Sequence, residues 1–304
     1  MIPYRRKICG KRAVMVESGI GCLVILMKKL WKMLDLLLHF VRYSIIICLK
    51  HLCGRSLCVG ELIAVLSGKG GTGKTSVCAG VAAALAASDA RVLCIDCDMG
   101  LRNLDISLGL SDCGTLSFLD VCQGSYPLSR AEVHPQFPKL SFLTAPMNCA
   151  PEAIDTEAFG AMLSEARAQF DYVFLDAPAG VDTGFHLVSR FADRCILVTL
   201  PGPGAIRDAS RSGELLELMG KTNVRLIVNR VNRKMVNAME LTIDDVMDTA
   251  GLPLLGVIPE DPNVTLAAAF GQPLLKYRPR CGAAQACRRI AYRIQGLPEP
   301  IKIR

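Results

Sequence analysis

Acidic side chains are nearly missing from the first 60 residues, where Glu17 and Asp35 stand against eleven Lys and Arg. The other 244 residues hold 24 basic and 26 acidic groups, so the excess of +7 belongs to the N-terminal segment. A globally basic nucleic-acid binder is thereby disfavoured. The chain also lacks an uninterrupted apolar run of the roughly 18 residues that a spanning helix needs. Lys28, Lys32, Asp35, His39 and Arg42 break the apolar stretch that starts at Leu23. No small-residue cleavage site follows it, which argues against a secretory signal. Without such a signal the 14 cysteines are poor evidence for disulfides, because cytosolic thiols stay reduced. Cys94 and Cys97 have CxxC spacing but no second CxxC and no nearby His, so they are expected to be structural. Internal repeats and low-complexity tracts are absent.

The interruptions after Leu23 fall at spacings of four, three, four and three, which draws one polar stripe along a helix. Two expectations follow for residues 1–59, a basic, Cys-rich extension. It is an interfacial amphipathic helix with Trp31 as anchor, or it is not native and the product starts at Val59. From residue 61 onward short apolar runs alternate with helical patterns, the rhythm of a mostly parallel sheet. The runs predict strands at Leu62–Ser67, Arg91–Asp96, Leu140–Ala145, Tyr172–Asp176, Cys195–Leu200, Val224–Asn229 and Leu254–Val257. Helices are predicted at Lys74–Ala87, Thr156–Gln169, Asp182–Phe191, Ala205–Met219, Ile243–Ala250, Val264–Phe270 and Ala283–Ile294. The expected fold is a doubly wound α/β sheet of about seven to eight strands, with the domain at 60–296 and a short tail at 297–304. Pro298 and Pro300 exclude a good helix in that tail.

The chemistry begins where the strand ELIAVLS runs into GKGGTGKT, Gly68 to Thr75. A strand, a Gly-rich loop and a helix are the context a phosphate-binding loop requires. Gly68, Gly70, Gly71 and Gly73 let the backbone curl so that amides, including those of Thr72 and Ser76, face one anion. Lys74 is placed to bridge β- and γ-phosphates, and the Thr75 hydroxyl to complete the coordination of Mg2+. Asp96 and Asp98 end a strand, where ligands of open α/β sheets sit. Asp96 is expected in the magnesium shell, and Asp98 beside an attacking water. The run DYVFLDAPAG gives four apolar positions and then Asp176, a Walker B arrangement that holds magnesium through water. Ala177 to Gly180 then form a turn suited to sensing the γ-phosphate.

A second loop lysine, Lys69, follows the first glycine, and here the chain resembles the deviant Walker ATPases, the MinD/ParA family. GLRNLD, Gly100 to Asp105, resembles the MinD branch more than ParA, and the D-x-P-A-G stretch and the order of motifs agree over residues 60 to 295. The resemblance implies a slow, partner-stimulated ATPase in division-site placement that dimerises on ATP. Lys69 then reaches the partner's nucleotide, with the logic of an arginine finger. Arg102, Asn103 and Asp105 are implied to respond to nucleotide and to bind partners. Asn229, in LIVNRVN, is implied to bind adenine, and the Pro259, Glu260 and Asp261 loop to lie against the base. Implied partners are a second copy, a division inhibitor and an ATPase activator of the MinC and MinE type. The chain is expected in the cytoplasm, peripheral at the inner face of the membrane. The family's usual C-terminal basic amphipathic helix is replaced by LPEPIKIR. The rivals are a ParA-like DNA-segregation or flagellar-placement ATPase and a P-loop tyrosine autokinase. An electron-transfer ATPase would need a paired-cysteine cluster that is not arranged here. The neutral body speaks against the first rival, and a tail with only Tyr277 and Tyr292 against the second.

Overall fold

The continuous apolar runs become the inner strands of one sheet, because a strand covered on both faces has no solvent side to keep polar. The computed structural model describes residues 59–111, 116–147 and 149–301. The expected helix around Trp31 lies outside them. The strands are β1 (Glu61–Leu66), β2 (Val92–Asp96), β3 (Glu132–Val133), β4 (Leu140–Leu143), β5 (Tyr172–Asp176), β6 (Arg194–Thr199), β7 (Val224–Val231) and β8 (Leu254–Pro259). They hydrogen-bond in the order β3-β4-β2-β5-β1-β6-β7-β8. All neighbours are parallel except β3, which runs antiparallel to β4 at one edge. This is the doubly wound α/β architecture that the sequence predicts.

Helices cover both faces. Among the described residues the first five, in chain order, are α1 (Lys74–Ala87), α2 (Leu104–Leu108), α3 (Phe118–Cys122), α4 (Thr156–Gln169) and α5 (Thr183–Phe191). Then come α6 (Pro203–Leu218), α7 (Arg233–Ala238), α8 (Ile243–Ala250), α9 (Pro262–Ala269), α10 (Leu274–Tyr277) and α11 (Gly282–Ile294). The period-two alternation of β1 divides the core. Ile63 and Val65 pack with α1, α2, α9, α10 and α11, while Leu62, Ala64 and Leu66 pack with α3 to α8. On the second side Phe159 meets Phe118 and Phe191 edge to face at 5.5 and 5.6 Å. Each such contact contributes about 0.5–1.5 kcal/mol beyond the area it buries.

α1 is alanine-rich for a packing reason. It runs between the sheet and α11, and nearly all of its side chains are buried. At Gly80 an added Cβ would come 2.7 Å from the Cys287 sulfur, so only glycine allows this approach. Cys94 and Cys97 are buried free thiols, as expected of structural cysteines. No helix among the described residues is long and apolar enough to cross a membrane. Residues 297–301, with both prolines of the tail, form no helix.

Candidate nucleotide-binding site

The carboxyl ends of β1, β2 and β5 meet near the middle of the sheet, and their loops carry the residues singled out by sequence. The loop after β1 turns through two left-handed glycines, Gly71 at φ +80° and Gly73 at φ +84°. Gly73 is the N-cap of α1 and supplies no capping side chain, and the first helical turn has no acidic residue. The positive end of the helix dipole and its free amides are thus left for an external anion. Beneath the loop, Gly68 lies so close to α6 that a Cβ would sit 2.6 Å from the Asp208 carbonyl oxygen. Ser67 Oγ donates to the Lys69 carbonyl at 3.0 Å, and the Gly180 amide donates to the Ser67 carbonyl at 3.1 Å. The turn after β5 is thereby laced to the base of the phosphate loop.

Lys74 and Asp176 form a buried ion pair, Nζ to Oδ1 at 2.9 Å, with 6% and 1% of their side chains exposed. Burial alone pulls the Lys74 pKa down, but the Asp176 carboxylate more than offsets it, leaving lysine above its ordinary value. Burial raises Asp176, and Lys74 only partly counters this. Asp96 is the register partner of Asp176 across β2 and β5. Its Oδ1 accepts from the Asp98 amide at 2.9 Å and its Oδ2 from the Leu104 amide at 3.2 Å. Burial, and next the charge of Asp176, push Asp96 up to about 7 despite these two donors. Two buried carboxylates beside one ammonium leave uncompensated negative charge. Asp176 Oδ2 is buried with no hydrogen-bond partner, although the Thr75 hydroxyl is near enough to help lower the pKa of that carboxyl. An orphaned oxygen, a second carboxylate and a hydroxyl suit Mg2+, which takes few protein oxygens and completes its shell with water and phosphate.

Asp98 is half-buried, its Oδ1 accepts the Gly100 amide at 3.2 Å, and its charge reaches Lys74 and Asp176. Lys69 is exposed at the rim of the loop. Ser76, on the first turn of α1, lines a small cavity with Ala79, Ser107 and Val264. Asn229 is buried, and its Nδ2 donates to the Thr72 carbonyl at 2.8 Å. It therefore braces the phosphate loop, a contact that sequence spacing gives no means to foresee. Strand alternation puts Asn229 on the same side as Ile227, where α1 packs, and the register break between Val228 and Val231, with Arg230 at φ +51°, follows it. In the loop after β8, Glu260 accepts from Asn232 at 2.9 Å. Both Asp261 oxygens are engaged, one by Asn263 as the cap of α9 and one by the Ala283 amide at 3.1 Å.

Residues 63–274 match the family described as the CobQ/CobB/MinD/ParA nucleotide binding domain. The septum site-determining protein MinD of Synechocystis sp. is 35% identical over 244 residues, 80% of this chain and 92% of that protein. The chain belongs to the MinD/ParA family. Within it, MinD in the MinC:MinD cell division complex of Aquifex aeolicus is similar in structure at a TM-score of 0.74 and 35% identity. That match covers 80% of this chain and 98% of the other. MinD of Pyrococcus horikoshii, solved with Mg-ADP, gives a TM-score of 0.67 at 28% identity, over 78% of this chain and 97% of that one. The glycine loop, the paired carboxylates and the Gly180 turn stand together in the structure.

Proposed function

We propose that the chain is a MinD-like ATPase of division-site placement, an ATP-dependent dimerisation switch that hydrolyses ATP to ADP and phosphate. The ParA-like alternative is not favoured, since the relatives named above are MinD proteins and residues 61–304 carry no basic excess. The observation that carries the proposal is the buried Lys74–Asp176 pair with Asp96 beside it, below an uncapped, acid-free helix start. That arrangement offers amides and an ammonium to a triphosphate and carboxylates to its metal.

Gly68 to Ser76 bind the phosphates, with Lys74 neutralising the oxygens between β and γ. Thr75, Asp96 and Asp176 would hold Mg2+, which would supply positive charge to the phosphate oxygens as ADP leaves. Asp98 orients the water whose oxygen attacks the γ-phosphorus as the bond to the bridging oxygen of ADP breaks. The partner subunit's Lys69 supplies positive charge as that bond breaks. Pro259, Glu260 and Asp261 lie along the base, and Asn229 reaches it while bracing Thr72. Residues 60–296 form the working domain, and residues 1–59 are an extension to it. Slow turnover until an activator of the MinE type binds, recognition by an inhibitor of the MinC type, and peripheral contact with the inner membrane face complete the reading. A switch works when a partner binds one nucleotide state only.

Size-exclusion chromatography with light scattering tests this. The full chain should be a monomer with Mg-ADP and a dimer with Mg-ATP, and Asp98→Ala should stay dimeric while turning over poorly. A chain that remains monomeric with both nucleotides would refute the switch.

A further inference from the structure

We infer that the surface made by α9, the turn after it and α10 is a docking face for an anionic lipid bilayer. This deepens the proposed membrane contact and rests on it. From Pro262 to Arg293 the chain carries six Lys and Arg and no Asp or Glu. Lys276, Arg278 and Arg280 are exposed, and none of the ion pairs among the described residues engages them. Beside them stand two exposed apolar side chains four residues apart, Leu266 at 43% and Phe270 at 63%. The Phe270 ring stacks on Tyr277 at 5.6 Å and 21°, and the Arg278 guanidinium lies 5.7 Å from the Tyr277 centroid. An apolar tip is thus held in a fixed orientation with cations around it.

Charge complementarity selects an anionic partner, and the apolar tip selects which one. Leucine has nothing to offer a nucleic-acid backbone, whereas Leu266 and Phe270 can enter the acyl boundary of a bilayer. The long stems of Lys276, Arg278 and Arg280 then carry their charges back to the headgroups. Each cation near an anionic surface contributes enough to change binding about fivefold.

Sedimentation of the full chain, in Mg-ATP, with phosphatidylglycerol–phosphatidylcholine vesicles or with phosphatidylcholine alone tests the face. The native chain should pellet with the anionic vesicles only. Lys276→Gln and Arg278→Gln should each weaken this about fivefold, Phe270→Ser should weaken it as well, and Phe270→Trp should keep it. Basal ATP hydrolysis should stay native in all four and all should melt cooperatively, with only Phe270→Ser melting a little lower for its lost Tyr277 stack, which separates lost docking from lost folding. If the variants pellet as the native chain does, the face is wrong while the membrane contact stands. If the native chain fails to pellet, both fall. Equal pelleting on neutral lipid, or retention on duplex DNA lost with Arg278→Gln but not with Phe270→Ser, would also overturn the proposal.

Discussion

The Asn229 amide donates to the Thr72 carbonyl at 2.8 Å in the interior, so a buried hydrogen bond joins β7 to the glycine loop. The bond is directional, which makes it separable from packing. Asn229→Ala removes the donor, whereas Asn229→Asp sets a carboxylate oxygen against the carbonyl in the same space. Leaving a buried partner unmatched costs about 1–3 kcal/mol. ATP affinity should therefore fall in Asn229→Ala and fall further in Asn229→Asp, as read by titration with a fluorescent ATP analogue. Equal affinities in the two variants would show that the bond does not shape the loop.

Gly73 and Gly71 give a matched control. Both have positive φ, which costs a residue with a Cβ about 1–2 kcal/mol. A Cβ at Gly73 would also come 2.4 Å from Asn229 Nδ2, while at Gly71 it would meet nothing within 4 Å. Gly73→Ala should abolish nucleotide binding measured by calorimetry, and Gly71→Ala should only weaken it.

The Lys74–Asp176 pair is buried on both sides, so breaking it by removing one partner costs about 3–5 kcal/mol. Lys74→Ala should lose ATP binding and melt lower than the native chain without nucleotide. Removing both groups leaves no lone charge, so Lys74→Ala with Asp176→Ala should regain part of the melting temperature but none of the binding. Differential scanning calorimetry decides this, and a double variant no more stable than Lys74→Ala would contradict the pairing.

His134 predicts a pH dependence outside the site. It is buried, its Nδ1 accepts the Gln136 amide at 3.0 Å, and its Nε2 lies 2.7 Å from the Leu108 carbonyl oxygen. Nδ1 is therefore the acceptor of a neutral ring, and Nε2 donates. Burial first, and Lys276 as a smaller cause, hold its pKa below the ordinary 6.5. The unfolded chain takes up this proton first, so the His134 contribution is complete above pH 6.5 and is lost as pH falls through the lower folded value. Unfolding in urea between pH 7.5 and 5.5 should show a steeper loss for the native chain than for His134→Gln, which keeps a donor to Leu108. Identical slopes would remove His134 as the cause.

Lys69 acting across the dimer has a signature that a lysine acting on its own nucleotide cannot mimic. Lys69→Gln and Asp98→Ala should each hydrolyse ATP poorly alone. Mixed, they should regain about a quarter of the native rate, since half the dimers are mixed and one of the two sites in each is intact. A mixture no more active than its components would place Lys69 in its own site.

The inner strands β1, β2, β5 and β6 were legible because burial on both faces makes them nearly continuous apolar runs, α4 and α8 because their lengths allow a period to show, and α1, buried almost all round, from its alanine-rich run after the glycine loop. The edge strand β3, two residues long, and the short helices α2, α3, α7 and α10 were not, since pieces of six residues or fewer carry no period. Their stability comes from neighbours, as when Asp96 holds the first amide of α2. Asp96 and Asp176 could be picked out as strand-end carboxylates, but their pairing belongs to strand order. Asp261 came into view only through the family resemblance, and its work at the ends of α9 and α11 was not legible.

By itself the sequence determined which groups are available: a glycine loop able to take positive φ, two lysines within it, and carboxylates that end apolar runs. These follow from local chemistry, since side-chain volume, backbone freedom and run length act within a few residues. Only the tertiary structure decided who meets whom. The order β2-β5-β1 brings residues 74, 96 and 176 together, and burial there sets their charges against one another in a medium that screens them poorly. The seating of β7 beside β6 brings Asn229 to a loop 157 positions away in the chain, because contacts that distant are chosen by packing and not by propensity.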